Sequence, residues 1–141
     1  MANGVIRAAA PQRQVGRSVL ALLAGFAVAV VLSVATDVLM HQIGFFPRLG
    51  QPMASPQLAV ATVYRTLFGI LSAWVTARLA PYHPLGHALL GGAIGAVLAL
   101  AGALTTWNLN LGAHWYPIAL VILALPSAWV GGRLRLMQLH K

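Results

Sequence analysis

The chain has 141 residues, of which 60% are hydrophobic and only 7% are charged, whereas about 25% of the residues of an ordinary soluble domain are charged. A single acidic residue, Asp37, stands against nine Lys and Arg, and the sequence contains no cysteine. This composition excludes a water-soluble globular enzyme, a disulfide scaffold, a thiolate metal site and catalysis by a pair of carboxylates. It indicates an integral membrane protein.

Four apolar segments are long enough to cross a membrane as helices, which takes about 20 residues each. They are predicted at 18–40, 58–79, 85–107 and 116–136. Glycines and prolines fill the links between them. The expected fold is therefore an all-α membrane domain over 18–136, preceded by a basic tail (1–17) and followed by a short tail (137–141).

Basic residues gather on one side of the predicted spans. Seven of them share that side: Arg7, Arg13, Arg17, Arg78, Arg133, Arg135 and Lys141. The opposite side carries Arg48 alone, and Arg65 lies inside the second span. Because cytoplasmic segments carry an excess of Lys and Arg, both termini are predicted to be cytoplasmic. The basic charge is thus explained by topology and lipid phosphates rather than by nucleic acid.

The two halves of the chain carry a weak internal repeat. A shift of 70 residues places the first span on the third, and a shift of 55 places the second on the fourth. The matched pairs include Gly25 with Gly95, Pro47 with Pro117, Trp74 with Trp129, and Arg78 with Arg133. Each unit holds two spans, so the repeats are predicted to be parallel hairpins related by an axis along the membrane normal. Chance matching of abundant small residues is the alternative.

Small residues recur at every fourth position in the first and third spans. They are Ala21, Gly25, Ala29 and Ser33, then Gly91, Gly95, Ala99 and Ala103. Small residues at this spacing let helix backbones approach closely in lipid. We therefore expect spans one and three to pack against each other, with a homo-oligomer contact as the alternative. Pro126 is expected to kink the fourth span.

Aromatic and basic residues mark both predicted membrane interfaces. Near the cytoplasmic side, Trp74 with Arg78 and Trp129 with Arg133 form two i,i+4 pairs. Near the opposite side lie Trp107, Trp115 and Tyr116. Tryptophan, tyrosine and arginine are typical anchors at such interfaces, and we interpret all of these residues in that way.

Asp37 and Arg65 are predicted at a similar depth within the first and second spans. Charges at membrane depth are costly and usually paired, so an ion pair is expected. It is either a structural clasp or a functional site, such as a proton relay or an anion contact. His41 follows Asp37 by four residues and is expected to hydrogen-bond its carboxylate. With His114 on the same side, Asp37 and His41 form a candidate proton or metal site, although no metal or other cofactor is expected.

One face of the second span is small and polar. It carries Arg65, Gly69, Ser72 and Thr76, and Ala124, Ser127 and Gly131 stand at the positions of the fourth span that correspond to the last three. Such a face either makes helix contacts or lines a narrow path.

Several stretches resemble an uncharacterised family of small bacterial four-helix inner-membrane proteins. They include Ala35-Thr36-Asp37, Gly50-Gln51-Pro52-Met53, Tyr64-Arg65 and Trp115-Tyr116-Pro117. The resemblance implies a four-helix protein of the bacterial inner membrane and no particular activity.

The sequence favours a non-enzymatic accessory or scaffold subunit of a larger membrane assembly, because the links are short and no aqueous path is evident. The alternative is a small homo-oligomeric transporter or channel, proton-linked through Asp37, His41 and Arg65. A membrane enzyme or pigment binder ranks last. The expected partners are the lipid bilayer and other membrane subunits or further copies of the chain, without nucleic acid.

Overall fold

A computed structural model describes residues 11–141, with side chains from residue 14 onward. It contains four helices: α1 (Pro11–Gln42), α2 (Ser55–Leu79), α3 (Pro84–Thr106) and α4 (Trp115–Leu139). Each of them is long and apolar enough to cross a membrane. The predicted all-α class with four membrane-spanning helices is therefore confirmed at this level.

The observed helices extend beyond some of the predicted bounds. α1 begins at Pro11, so residues 11–17 belong to the first helix rather than to a separate tail. α4 continues through Pro126 and ends at Leu139. Prolines also stand in the first turns of α2 and α3, where a missing N–H costs no helical hydrogen bond. Arg7 lies outside the described residues, as does the side chain of Arg13.

The helices alternate in direction, which gives the bundle two distinct ends. We call the end where α2 and α4 finish the basic end, since it carries Arg78, Arg133, Arg135 and Lys141. The opposite end holds the links 43–54 and 107–114, and we call it the loop end. α4 packs extensively on α2 and on α3, and α1 packs on α2. α1 contacts α3 least and does not contact α4.

Small residues form the centre of the bundle. Ala73, Ala77, Ala88 and Ala128 make one buried cluster shared by α2, α3 and α4. A Cβ added at Gly131 would overlap the Ile70 carbonyl oxygen and lie 2.8 Å from the backbone nitrogen of Trp74. Glycine is thus required where α4 meets α2, because the two backbones are nearly in contact.

The first span packs only slightly on the third, and the tightest contact of its small-residue stripe is with α2 instead. A Cβ added at Gly25 would overlap the Thr76 hydroxyl and lie 2.7 Å from the Ser72 carbonyl oxygen, so Gly25 faces α2. A Cβ at Gly95 would meet nothing within 4 Å, and one at Gly91 would meet only Leu22 of α1, at 3.5 Å. A stripe of small residues shows which face permits close approach, but it does not specify the neighbouring helix.

The remaining members of the two stripes have mixed environments. Ala21 and Ala103 are buried, and Ala29 lines a cavity described below. Ser33 and Ala99 are half-buried.

The two links at the loop end pair with each other and fold onto α2. The Met53 N–H donates to the Leu111 carbonyl at 2.8 Å, and Met53 forms an isolated bridge with Gly112. Gly112 has a φ of 153°, and an added Cβ would lie 3.0 Å from Leu58 Cδ1. The Gln57 amide donates to the Phe45 carbonyl at 2.6 Å. These contacts hold the end of α1 and the start of α2 in a fixed relative position.

Candidate functional site

Asp37 of α1 is held by two side chains of α2. The Arg65 guanidinium donates from Nη2 to Asp37 Oδ2 at 2.5 Å, and the Tyr64 hydroxyl donates to Oδ1. We call these three residues the Asp37 clasp. The Arg65 side chain is 33% exposed and that of Asp37 is 28% exposed, so the pair is only partly covered by protein. The ion pair expected from the sequence therefore forms, with Tyr64 as an additional partner.

The direction of α2 explains how Arg65 reaches this carboxylate. Arg65 lies ten residues after Ser55, which corresponds to about 15 Å at 1.5 Å per residue. Because Cα–Cβ bonds tilt toward the N-terminus of a helix, the long side chain points from there toward the loop end.

His41 does not contact the Asp37 carboxylate, contrary to the expectation from sequence. Its Nδ1 lies 2.7 Å from the Asp37 backbone carbonyl oxygen. Its ring packs edge-on against Phe46, with the ring centroids 5.4 Å apart. A side chain in a helix leans back over the preceding turn, which brings the imidazole to the backbone while α2 occupies the carboxylate.

His114 is likewise separate from the clasp. Its Nε2 lies 2.9 Å from the Trp107 carbonyl oxygen, and its ring stacks on Trp107 at a centroid distance of 4.2 Å. Among the described residues, no three His, Asp or Glu side chains stand close enough together to hold a metal ion. The structure therefore does not assemble Asp37, His41 and His114 into one site.

The two predicted anchor pairs at the basic end adopt the same geometry. The Arg78 guanidinium carbon lies 5.3 Å from the Trp74 ring centroid, and Arg133 lies 5.3 Å from that of Trp129. Such cation–π contacts keep each charge beside its ring. At the other end, the indole nitrogen of Trp115 lies 3.5 Å from Ser55 Oγ. Trp107 and Trp115 are both exposed there.

A polar contact between α1 and α3 was not foreseen. His87 is buried, and its Nε2 lies 2.9 Å from the Ser18 hydroxyl oxygen. Its Nδ1 lies 3.2 Å from the His83 carbonyl oxygen. Because a carbonyl only accepts, Nδ1 donates to the His83 carbonyl, and Nε2 shares a hydrogen bond with the Ser18 hydroxyl. This contact links α1 and α3 near the basic end.

A cavity of about 450 Å³ lies between the helices. All four helices line it, through residues that include Leu22, Phe26 and Ala29 of α1, Arg65, Gly69 and Ser72 of α2, Gly91, Gly95 and Leu98 of α3, and Leu123, Ala124 and Ser127 of α4. Its walls are mainly aliphatic, and Arg65 is the charged residue among them. α1 and α3 both line it, and contact between these two helices is slight. We call this space the α1–α3 cavity.

The small polar face of α2 lines this cavity. Arg65, Gly69, Ser72 and Thr76 all contribute to the lining, as do Ala124 and Ser127 of α4. Gly131, which the sequence groups with them, instead packs directly on α2. The face thus makes helix contacts at one edge and borders open space at the other.

Comparisons of the chain with protein-family profiles, with characterised proteins and with solved structures find no significant match. The class of the protein therefore rests on its own geometry. Four long apolar helices indicate a multi-pass membrane protein. Its candidate site consists of the Asp37 clasp and the adjoining α1–α3 cavity.

Proposed function

We propose that this chain is a non-enzymatic, multi-pass protein of the bacterial inner membrane that binds a lipophilic small molecule, as a small transporter does. The α1–α3 cavity is the observation that carries the proposal. Its volume of about 450 Å³ falls within the roughly 300–1,000 Å³ of known small-molecule sites. Aliphatic walls with a single charged residue at one place suit an apolar ligand with one polar group.

The cavity favours this function over the scaffold role. The sequence favours the scaffold role because it shows no path between the helices, and an open space lined by all four helices weakens that reason. A proton-linked version requires His41 to touch the carboxylate of Asp37, but His41 bonds the backbone instead. Binding of a lipophile is therefore proposed without coupling to protons.

An accessory or scaffold subunit remains the second candidate, supported by the exposure of α1. Leu20 is 66% exposed and Val31 is 63% exposed on a helix that packs extensively on α2 alone. Such a surface suits lipid, and it equally suits a helix of another subunit or of a second copy.

We further propose that both termini are cytoplasmic and that the chain arose by duplication of a hairpin. The basic end carries Arg78, Arg133, Arg135 and Lys141, which supports this orientation. The equal geometry of the two Trp–Arg pairs supports duplication. A reporter enzyme that is active only outside the cytoplasm should be silent when fused after Lys141. Activity there would contradict the proposed orientation.

Purification in a mild detergent followed by mass spectrometry separates the two candidate functions. The proposed function predicts a co-purifying small molecule, whereas a constant set of partner proteins would favour the subunit role. Gly95→Phe provides the sharper test, because Gly95 lines the cavity and has nothing within 4 Å of an added Cβ. Gly102→Phe is the matched control, since Gly102 also has open space and does not line the cavity.

Gly95→Phe should abolish retention of the small molecule, and Gly102→Phe should preserve it. Equal retention by both variants would contradict the proposed function. Thermal unfolding of each variant in detergent would verify that the bundle remains intact.

A further inference from the structure

Of the four hydroxyl groups that line the α1–α3 cavity, those of Thr66, Ser72 and Ser127 donate to backbone carbonyls, and that of Thr76 makes no hydrogen bond among the described residues. Thr66 donates to Thr62 at 2.7 Å, and Ser127 donates to Leu123 at 2.6 Å. Ser72 donates across to the Gly25 carbonyl of α1 at 2.7 Å. These three hydroxyls therefore do not require hydrogen bonds from a ligand, and the polar character they give to the cavity is slight.

Arg65 is different, because most of its donors have no acceptor among the described residues. A guanidinium carries five N–H groups, and Nη2 bonds Asp37. Its Nε is buried without a hydrogen-bond partner. A third of the side chain is nevertheless exposed, and Arg65 lines the cavity. Arg65 is thus the one charged hydrogen-bond donor in the lining of the cavity.

The charge of Arg65 is balanced within the protein. Asp37 is the only acidic residue in the sequence, and it forms an ion pair with Arg65. The clasp is therefore neutral as a unit. An anionic head group placed beside it would remain uncompensated at membrane depth, where unpaired charge is costly. An uncharged hydrogen-bond acceptor faces no such penalty.

We propose that the α1–α3 cavity binds an uncharged lipophile with a carbonyl-type acceptor, which accepts a hydrogen bond from the Arg65 guanidinium while its hydrocarbon part lies among the aliphatic walls. Ketones, esters and quinone-like rings with an apolar tail share this chemistry. The inference rests on the proposed function and specifies the ligand class. It requires one hydrogen-bond acceptor on the ligand.

Three probes of equal chain length test the head-group requirement: a long-chain methyl ketone, the corresponding alkane and the corresponding fatty-acid anion. Their binding to the full chain in lipid nanodiscs is measured by native mass spectrometry. Hydrogen bonds to charged groups contribute enough to change affinity roughly tenfold or more. We expect the ketone to bind roughly tenfold more tightly than the alkane, and the anion to bind more weakly than the ketone.

The double variant Asp37→Asn with Arg65→Met removes the guanidinium without leaving an unpaired charge. In this variant the ketone should lose its advantage over the alkane, while binding of the alkane is preserved. The comparison of ketone with alkane in the parent protein does not depend on the folding of any variant.

The outcomes distinguish the inference from the proposed function on which it rests. Equal binding of ketone and alkane, or tighter binding of the anion, would overturn the inference and leave a lipophile site in place. Failure of all three probes to bind, together with equal retention of the native small molecule by Gly95→Phe and Gly102→Phe, would overturn both.

Discussion

α1 and α4 join the same bundle by different means. α4 approaches α2 and α3 so closely that Gly92, Gly131 and Gly132 could not carry a Cβ without overlap or close contact with neighbouring atoms. α1 packs extensively on α2 but only slightly on α3, and polar contacts attach it at three levels. These are Ser18 with His87, the Gly25 carbonyl with Ser72, and Asp37 with Tyr64 and Arg65.

The difference explains why the cavity lies beside α1. Continuous glycine and alanine contacts exclude space, whereas α1 and α3 pack only slightly, and the Ser18–His87 contact joins them without filling the volume between them. On the side of α2, by contrast, Gly25 packs tightly, and Ala21 of the same helix is fully buried. A membrane helix attached in this way leaves room for a ligand on its other side.

The same difference appears within the proposed duplication. The positions of Asp37 and Arg65 correspond, at shifts of 70 and 55 residues, to Trp107 and Leu120 in the second hairpin. The second hairpin therefore lacks the clasp, and Leu120 lines the cavity where the first copy has a charged residue. If the two hairpins share an origin, the second hairpin (α3 and α4) is held by close packing, and the first hairpin (α1 and α2) also has an ion pair.

The largest expected effect is at the α2–α4 contact. Gly131→Ala should destabilise the protein by about 3 kcal/mol, because overpacking against backbone atoms cannot be relieved by a side-chain rotation. Gly95→Ala, where the added Cβ meets nothing within 4 Å, should leave stability nearly unchanged. Thermal unfolding in detergent measures both changes. Equal losses of stability in Gly131→Ala and Gly95→Ala would contradict the distinction between the closely packed α2–α4 contact and the side that borders the cavity.

Asp37→Asn should have the next largest effect, because it leaves the Arg65 charge unpaired. Breaking a fully buried pair costs about 3–5 kcal/mol, and partial exposure reduces the expected loss here to about 2 kcal/mol. Asp37→Asn with Arg65→Gln should be less destabilising than Asp37→Asn alone. A double-mutant cycle measures the coupling. A coupling energy of zero would show that the clasp does not hold α1 to α2.

Much of this organisation could be predicted from the sequence, since long apolar runs determine the helices and the isolated charges determine their pairing. Tyr64 was missed, although it precedes Arg65 directly and both side chains reach the same carboxylate. The predicted partner of His41 was wrong because the sequence does not show that side chains of α2 bond both carboxylate oxygens of Asp37. The Ser18–His87 contact joins residues far apart in the chain, and neither side chain indicates its partner.

Removal of the single hydrogen bonds should have the smallest effect. Ser72→Ala and Ser18→Ala should each cost about 0.6 kcal/mol, the average for interhelical hydrogen bonds in a membrane protein. Because the two contacts lie at different levels of α1, their effects should add in the double variant. Unfolding of the single and double variants in the same detergent provides the comparison. A loss much larger than the sum would indicate that the contacts act as one unit.

The distance between spin labels tests most directly the claim that α1 is held at separate points beside a cavity. The chain has no native cysteine, and exposed positions are available on α1 (Val34→Cys), α3 (Leu104→Cys) and α4 (Ile118→Cys). The account predicts a broader distribution of label distances between α1 and α3 than between α3 and α4. Gly95→Phe should narrow the α1–α3 distribution and leave the α3–α4 distribution unchanged. Distributions of equal width in the parent protein would contradict it.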